Sequence, residues 1–161
     1  MTLTGQVGII SNGTAFWPKV IEWATRSRAH HIVVAVSDTH CLSAEPGGAR
    51  IRPISDFPTA VWSRFPLALD QRVHIAYWCH TKRFVPYNYR VFAVNGLHLV
   101  LHVPVPAWLY RWAATPNRLV CSQLADIALT AAGVSVIDDG RPFGIVFPGD
   151  WEQEFRRRGW I

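Results

Sequence analysis

The stretch His31-Ile32-Val33-Val34-Ala35-Val36, closed by Ser37-Asp38-Thr39, is the strongest strand signal in the chain. β-branched side chains suit a pleated, half-buried surface, and the Ser-Asp-Thr triplet that follows is turn chemistry. On extended backbone His31, Val33 and Ala35 point to one side, and Ile32, Val34 and Val36 to the other. Residues 41–45 then return as a hairpin partner. Pro46-Gly47-Gly48 turns the chain again, and residues 49–54 alternate as a third strand with Arg50 and Arg52 on one face.

Outside this core the signals are shorter. Residues 7–10 form an apolar run stopped by Ser11-Asn12-Gly13. Residues 16–25 read as a short helix with Pro18 in its first turn, and residues 72–79 alternate as a fourth strand. The segment 84–101 fits either strand or helix, and 106–113 is a short helix. The clearest helix covers 119–132, preceded by Thr115, Pro116 and Asn117 and closed by Gly133. Residues 134–137 and 145–147 read as short strands, and 150–158 as a last helix. With no repeat, linker or low-complexity tract, residues 1–161 are expected to form a single α+β domain, an antiparallel sheet packed against helices.

Composition narrows the function classes. Half of the residues are hydrophobic and only 17% are charged, which marks a folded domain rather than a disordered one. The net charge is +5, but the cations are scattered apart from Arg156, Arg157 and Arg158, so nucleic acid is not an expected partner. The arginine triplet reads as a solvated helix end. Eight tryptophans supply core and groove surface, with Trp62, Trp78, Tyr87, Tyr89, Trp108 and Trp112 as groove candidates. Three cysteines, Cys41, Cys79 and Cys121, argue against a disulfide framework. The N-terminus lacks a basic segment followed by an apolar run, and no 18-residue apolar stretch occurs, so the expected setting is cytoplasmic, with delivery by a phage or secretion system as the other route. Cys79-His80 and His98/His102 are possible metal ligands, but neither Cys-x-x-Cys nor His-Glu-x-x-His is present, and neither metal nor cofactor is expected.

The chemistry-bearing residues are few. Cys121 sits in or near the first turn of the clearest helix, where the helix dipole favours thiolate over thiol. A cysteine nucleophile needs a base, and His31, opening the main strand, is the candidate. On the next strand Ser43 and Glu45 share a face, and either can hold the imidazole in one tautomer.

These motifs resemble those of the circularly permuted NlpC-type (YaeF/YiiX-like) papain-fold cysteine hydrolases. His31-Ile-Val-Val-Ala-Val-Ser-Asp38 is similar to the family's histidine strand, and residues 42–57, Leu-Ser-Ala-Glu-Pro-Gly-Gly-Ala-Arg-Ile-Arg-Pro-Ile-Ser-Asp-Phe, to its next two strands. Cys121-Ser-Gln-Leu-Ala resembles its nucleophile helix, and Ala131-Ala-Gly-Val, Asp138-Asp-Gly-Arg-Pro and Phe147-Pro-Gly-Asp150 its C-terminal segment. The resemblance implies a permuted papain-like fold with Cys121 as nucleophile and His31 as base, acting on an amide or ester of a peptide, cell-wall or acyl-lipid substrate. It equally implies acyl transfer as in the related lecithin–retinol acyltransferase group. Two departures stand out. His30 occupies the position where relatives carry serine, and the family's glutamate maps onto Ser43, with Glu45 two residues on. The third catalytic residue is therefore Ser43 or Glu45, and a binding or inhibitory protein that keeps the fold without turnover is the competing expectation.

Overall fold

The computed structural model describes residues 2–11, 27–91, 93–94, 106–113, 118–138 and 146–161. The expected helix at 16–25 lies outside them, as do residues 92 and 95–101 of the ambiguous 84–101 segment, in which residues 89–91 and 93–94 are helical. Five strands form one antiparallel sheet: β1 (Val7–Ser11), β2 (Ala29–Ala35), β3 (His40–Glu45), β4 (Gly48–Pro53) and β5 (Val61–Trp62), in the order β4-β3-β2-β1-β5. The described helices are α1 (Leu69–Thr81), α2 (Ala107–Ala113), α3 (Cys121–Ala131) and α4 (Pro148–Arg157), with a 3-10 turn at Ile54–Asp56. The expected α+β class and the central hairpin are what the structure contains.

The sheet's two faces follow from alternation. Ile32, Val34, Leu42 and Ala44 join the main core with Cys121, Leu124, Ala125, Ala128, Leu129, Trp151 and Phe155 of α3 and α4. Val33 and Cys41 face the other way, with Ile10, against Ile54, Phe57, Ala60 and Trp62. Burying a large side chain such as Leu129 or Phe155 contributes about 1.5–3 kcal/mol each, which makes the helix-covered face the principal source of stability. The alternation breaks at one place. Ile10 lies opposite His31 while the adjacent Ser11 lies opposite Ala29, so His30 is an extra residue on β2. That bulge explains why Ala29 and Ile32, three residues apart, both enter the same core.

Buried polar groups at the start of β1 are satisfied among themselves. The Gln6 amide donates to the Phe65 carbonyl (2.9 Å) and accepts from the Ser63 hydroxyl (2.8 Å), which in turn accepts the Val7 N–H (2.9 Å). Helices α1, α3 and α4 begin after Ala68, Val120 and Phe147, none of which carries a capping oxygen. The third helical residue does the work instead: Gln71, Gln123 and Asp150 accept those backbone N–H groups at 2.9, 3.3 and 2.8 Å.

Three sequence expectations are overturned. Residues 72–79 are helical, within α1, not a fourth strand. Val73 and Tyr77 lie on the outer side of α1 and Ile75 and Cys79 on the inner side, so a helix with two apolar faces produces the period-two pattern of a strand. Residues 134–137 are not a strand either. The Val134 N–H caps α3 through the Leu129 carbonyl (2.9 Å), and the Val136 carbonyl accepts from the Arg158 guanidinium (2.9 Å). Val146 and Phe147 are likewise without strand structure, and residue 145 lies outside the described residues. The arginine triplet behaves as expected of a helix end: Arg156 pairs with Glu152, and Arg157 and Arg158 with Glu154, whose carboxyl they hold down at about 2.

Gly48 is the tightest point of the hairpin. Its φ of +107° is left-handed territory, and a Cβ there would lie 2.9 Å from the Val85 carbonyl oxygen. That approach lets the Ala49 N–H reach Val85 (2.8 Å) while the Phe84 N–H donates to the Ala49 carbonyl (2.8 Å), pairing this segment with the outer side of β4. Gly48→Ala is therefore expected to cost about 2 kcal/mol or more in urea unfolding, through backbone strain and displacement of Val85.

Candidate functional site

His31 lies on the sheet face away from α3, partly buried, with its ring tilted 38° to that of Phe57 at 6.1 Å between centroids. Ser43 is opposite Val33 in the β2–β3 ladder, one step along the same face, and is completely buried. His31 Nε2 lies 2.7 Å from Ser43 Oγ, and Ser43 Oγ donates to Glu45 Oε1 at 2.7 Å. A hydroxyl has one proton, and Ser43 gives it to the carboxylate, so Ser43 accepts from His31. This fixes the proton on Nε2 and leaves the Nδ1 lone pair as the basic position.

Ser43 and Glu45 thus act in series, and the question of which one orients the imidazole has the answer that both do. His30 is the bulged residue, and the relay belongs to His31. Sequence reasoning missed the next link. Arg52, opposite Cys41, reaches back to Glu45 Oε2 (3.3 Å) and is held by Asp56 Oδ2 (2.8 Å). The same-face placement of Arg50 and Arg52 and the four-residue spacing of Arg52 and Asp56 were the signals available for it.

Cys121 is the first residue of α3, two residues later than the sequence pattern places the helix start, and it is buried in the main core. Its approach is fixed by Asn88, fully buried, whose Nδ2 donates to the carbonyls of Ala113 (3.0 Å) and Arg118 (3.4 Å). The Asn88 N–H also donates to the Leu119 carbonyl (3.1 Å). Asn88 had no sequence signal beyond being a polar residue in an aromatic stretch.

Electrostatics here run against the expectation of a helix-stabilised thiolate. Burial pushes the Cys121 thiol up to about 11, and the backbone N–H groups of Ile32, Ser122 and Cys121 only partly oppose it. The Ile32 contribution places the sulfur beside β2 at the residue after His31. Among the described residues no hydrogen bond joins Cys121 to His31. Burial likewise pushes the His31 imidazole down to about 4; Glu45 pulls it upward and His30 pushes it down further. The resting pair is a neutral thiol and a neutral imidazole. Cys41 is raised to about 12 by burial, then Asp56 and Glu45, and Cys79 is raised by burial, then Cys41. All three cysteines are free.

The groove aromatics do not converge. Trp78 packs on the main core, Trp62 on the opposite sheet face, Tyr87 meets Tyr89 edge-on at 5.1 Å, and Trp108 and Trp112 are exposed. A hollow of about 550 Å³ lined by Gln6, Trp62, Ser63 and Arg64, among others, touches none of Cys121, His31, Ser43 and Glu45. Among the described residues no group of three or more His, Cys, Asp or Glu is placed to hold a metal, and His98 and His102 lie outside them. No described helix is long and apolar enough to cross a membrane.

The folded protein binds a proton at His31 less readily than the unfolded chain does. Stability from this group is therefore full above pH 6.5 and is lost as pH falls towards 4, by up to about 3 kcal/mol. Urea unfolding between pH 7 and 4 should show this loss, and His31→Gln should remove that part of the pH dependence.

No protein-family model matches the chain, and no curated protein is similar to it in sequence.

Proposed function

We propose that this protein is a cysteine hydrolase of the permuted papain-like, NlpC type, with Cys121 as nucleophile and His31 as base. The observation that carries the reading is the chain of hydrogen bonds His31–Ser43–Glu45, which presents Nδ1 of a neutral, oriented imidazole at the strand start that Cys121 adjoins. A base that donates through one nitrogen to a fixed acceptor and keeps the other free is the arrangement nucleophilic catalysis requires.

In this reading the thiolate is generated during attack rather than stored. As the sulfur bonds to the carbonyl carbon of an amide or ester, its proton passes to His31 Nδ1. The imidazolium is stabilised by Glu45 through Ser43 and returns the proton to the leaving nitrogen or oxygen. Water, deprotonated by the same nitrogen, then releases the acyl group. The N–H groups of Cys121 and Ser122 at the start of α3 face the sulfur and are the donors available to a developing oxyanion. His31 is bonded to Ser43 and Cys121 to the Ile32 N–H on either side of the start of β2, so this reading requires the two side chains to be brought into contact there when substrate binds. Peptide, cell-wall and acyl-lipid carbonyls all suit this chemistry, and an acyl-accepting alcohol in place of water turns the hydrolase into an acyltransferase.

The buried, neutral thiol favours one rival, a protein that binds through this fold without turnover. Alkylation of the three cysteines, followed by mass spectrometry from pH 4 to 9, separates the two. In the hydrolase Cys121 reacts at least about 100-fold faster than Cys41 and Cys79 at pH 7, and His31→Ala slows it about tenfold or more. Equal reactivity of the three thiols, or indifference of Cys121 to His31→Ala, refutes the hydrolase and leaves the binding protein.

A further inference from the structure

Arg52 does not stand opposite the carboxylate it holds. In the β3–β4 ladder it is the partner of Cys41, while Arg50 is the partner of Ser43, so Arg52 reaches past Ser43 to meet Glu45. It does so from a fixed position. Its Nε donates to Asp56 Oδ2 and its Nη2 lies on the same oxygen, both at 2.8 Å, which leaves Nη1 to donate to Glu45 Oε2 at 3.3 Å. Asp56 is itself placed by the 3-10 turn, whose Ile54 packs with Phe57 against Cys41 and donates its N–H to the Thr39 carbonyl (2.9 Å).

Glu45 needs such a hold. It is the last residue of β3, its side chain is 36% exposed, and water and rotamer freedom both draw it outward. An isolated ion pair at this exposure contributes little, but a guanidinium already immobilised by a second carboxylate gives up less freedom when it binds. With Oε2 pinned, Oε1 stays 2.7 Å from Ser43 Oγ. The hydroxyl of Ser43 is buried, and among the described residues its partners are Glu45 and His31. If the carboxylate swings away, the only acceptor left within reach of that proton is His31 Nε2 at 2.7 Å. A buried hydroxyl is costly to leave unsatisfied, so Ser43 then donates to Nε2 and the imidazole carries its proton on Nδ1.

We propose that Arg52, anchored by Asp56, is a positioning residue that sets the tautomer of His31: by pinning Glu45 it fixes the direction of the Ser43 proton and keeps the imidazole proton on Nε2. The consequence for chemistry rests on the hydrolase reading, in which Nδ1 must be free to take the Cys121 proton; a proton already on Nδ1 blocks that step. Arg50 is the internal comparison. It carries the same charge on the same strand, one ladder step nearer to Glu45, and it is exposed with no side-chain bond among the described residues.

Long-range proton–nitrogen NMR of the ¹⁵N-labelled protein at pH 8, where His31 is neutral, reads the tautomer directly, and the spectrum of His31→Gln assigns its signals among the seven histidines. The expected result is Nε2–H over Nδ1–H by about 10:1 or more in the parent chain, falling to about 1:1 or reversing in Arg52→Met. Arg52→Thr, a good strand former too short to reach Glu45, is the second variant should Arg52→Met fail to fold. Glu45→Ala gives the same change, adding Arg52→Met to it changes nothing further, and Arg50→Met keeps the parent ratio. A parent chain with Nδ1–H as the major form overturns the proposal. So does a parent ratio retained when Arg52 is replaced, or an equal change in Arg50→Met. Failure of the hydrolase reading is distinct: Cys121 alkylation is then indifferent to His31→Ala, while the tautomer still follows Arg52.

Discussion

Between Ile10 and Ser11 the β1–β2 ladder skips one residue of β2, and that residue is His30. Everything at the candidate site is phased by this bulge. It lets Ala29 and Ile32 enter the helix-covered core together, and it leaves His31 on the opposite face, in line with Val33 and Ser43. The strand is anchored on both sides of the bulge by the wholly buried Ala29 and Ile32. A one-residue slip would exchange the inner and outer sets of side chains along all of β2.

Ser43 gives the site its electrostatic character. A carboxylate in direct contact with the imidazole would favour its charged form strongly, whereas Glu45 acts from the far side of a neutral hydroxyl. Its attraction is then outweighed by burial, and the imidazole stays uncharged. Arg52 and Asp56 continue the chain outward, so the carboxylate is itself shared between a buried serine and a guanidinium. On the other side of β2, burial also dominates at Cys121 despite three helpful backbone amides.

What could be read in advance follows a physical rule. β2, β3 and β4 were legible because each is half-buried, with one set of alternating residues inside, and α3 because its inward stripe and closing Gly133 are local features. Helix α1 was not, since Val73, Ile75, Tyr77 and Cys79 alternate like a strand until tertiary packing shows that the helix presents two faces. The membership of His31, Ser43 and Glu45 on one face was legible from alternation. Their order, with the hydroxyl between imidazole and carboxylate, depends on proton direction, which only the distances reveal. Depth was invisible too: the position of Cys121 at a helix start suggested a thiolate, whereas the core around it opposes one.

The pairing of Phe84 and Val85 with Ala49 has a consequence for how copies of this chain can meet. An open strand edge is a template for endless addition of further strands. Here the outer side of β4 is occupied at Ala49 by Val85 and Phe84, and the strand ends at Pro53, which has no N–H to offer. At the other margin β5 is only two residues long, and the Arg64 N–H just after it is taken by the Trp160 carbonyl (2.8 Å). Both margins of the sheet are poor seeds for fibrillar growth.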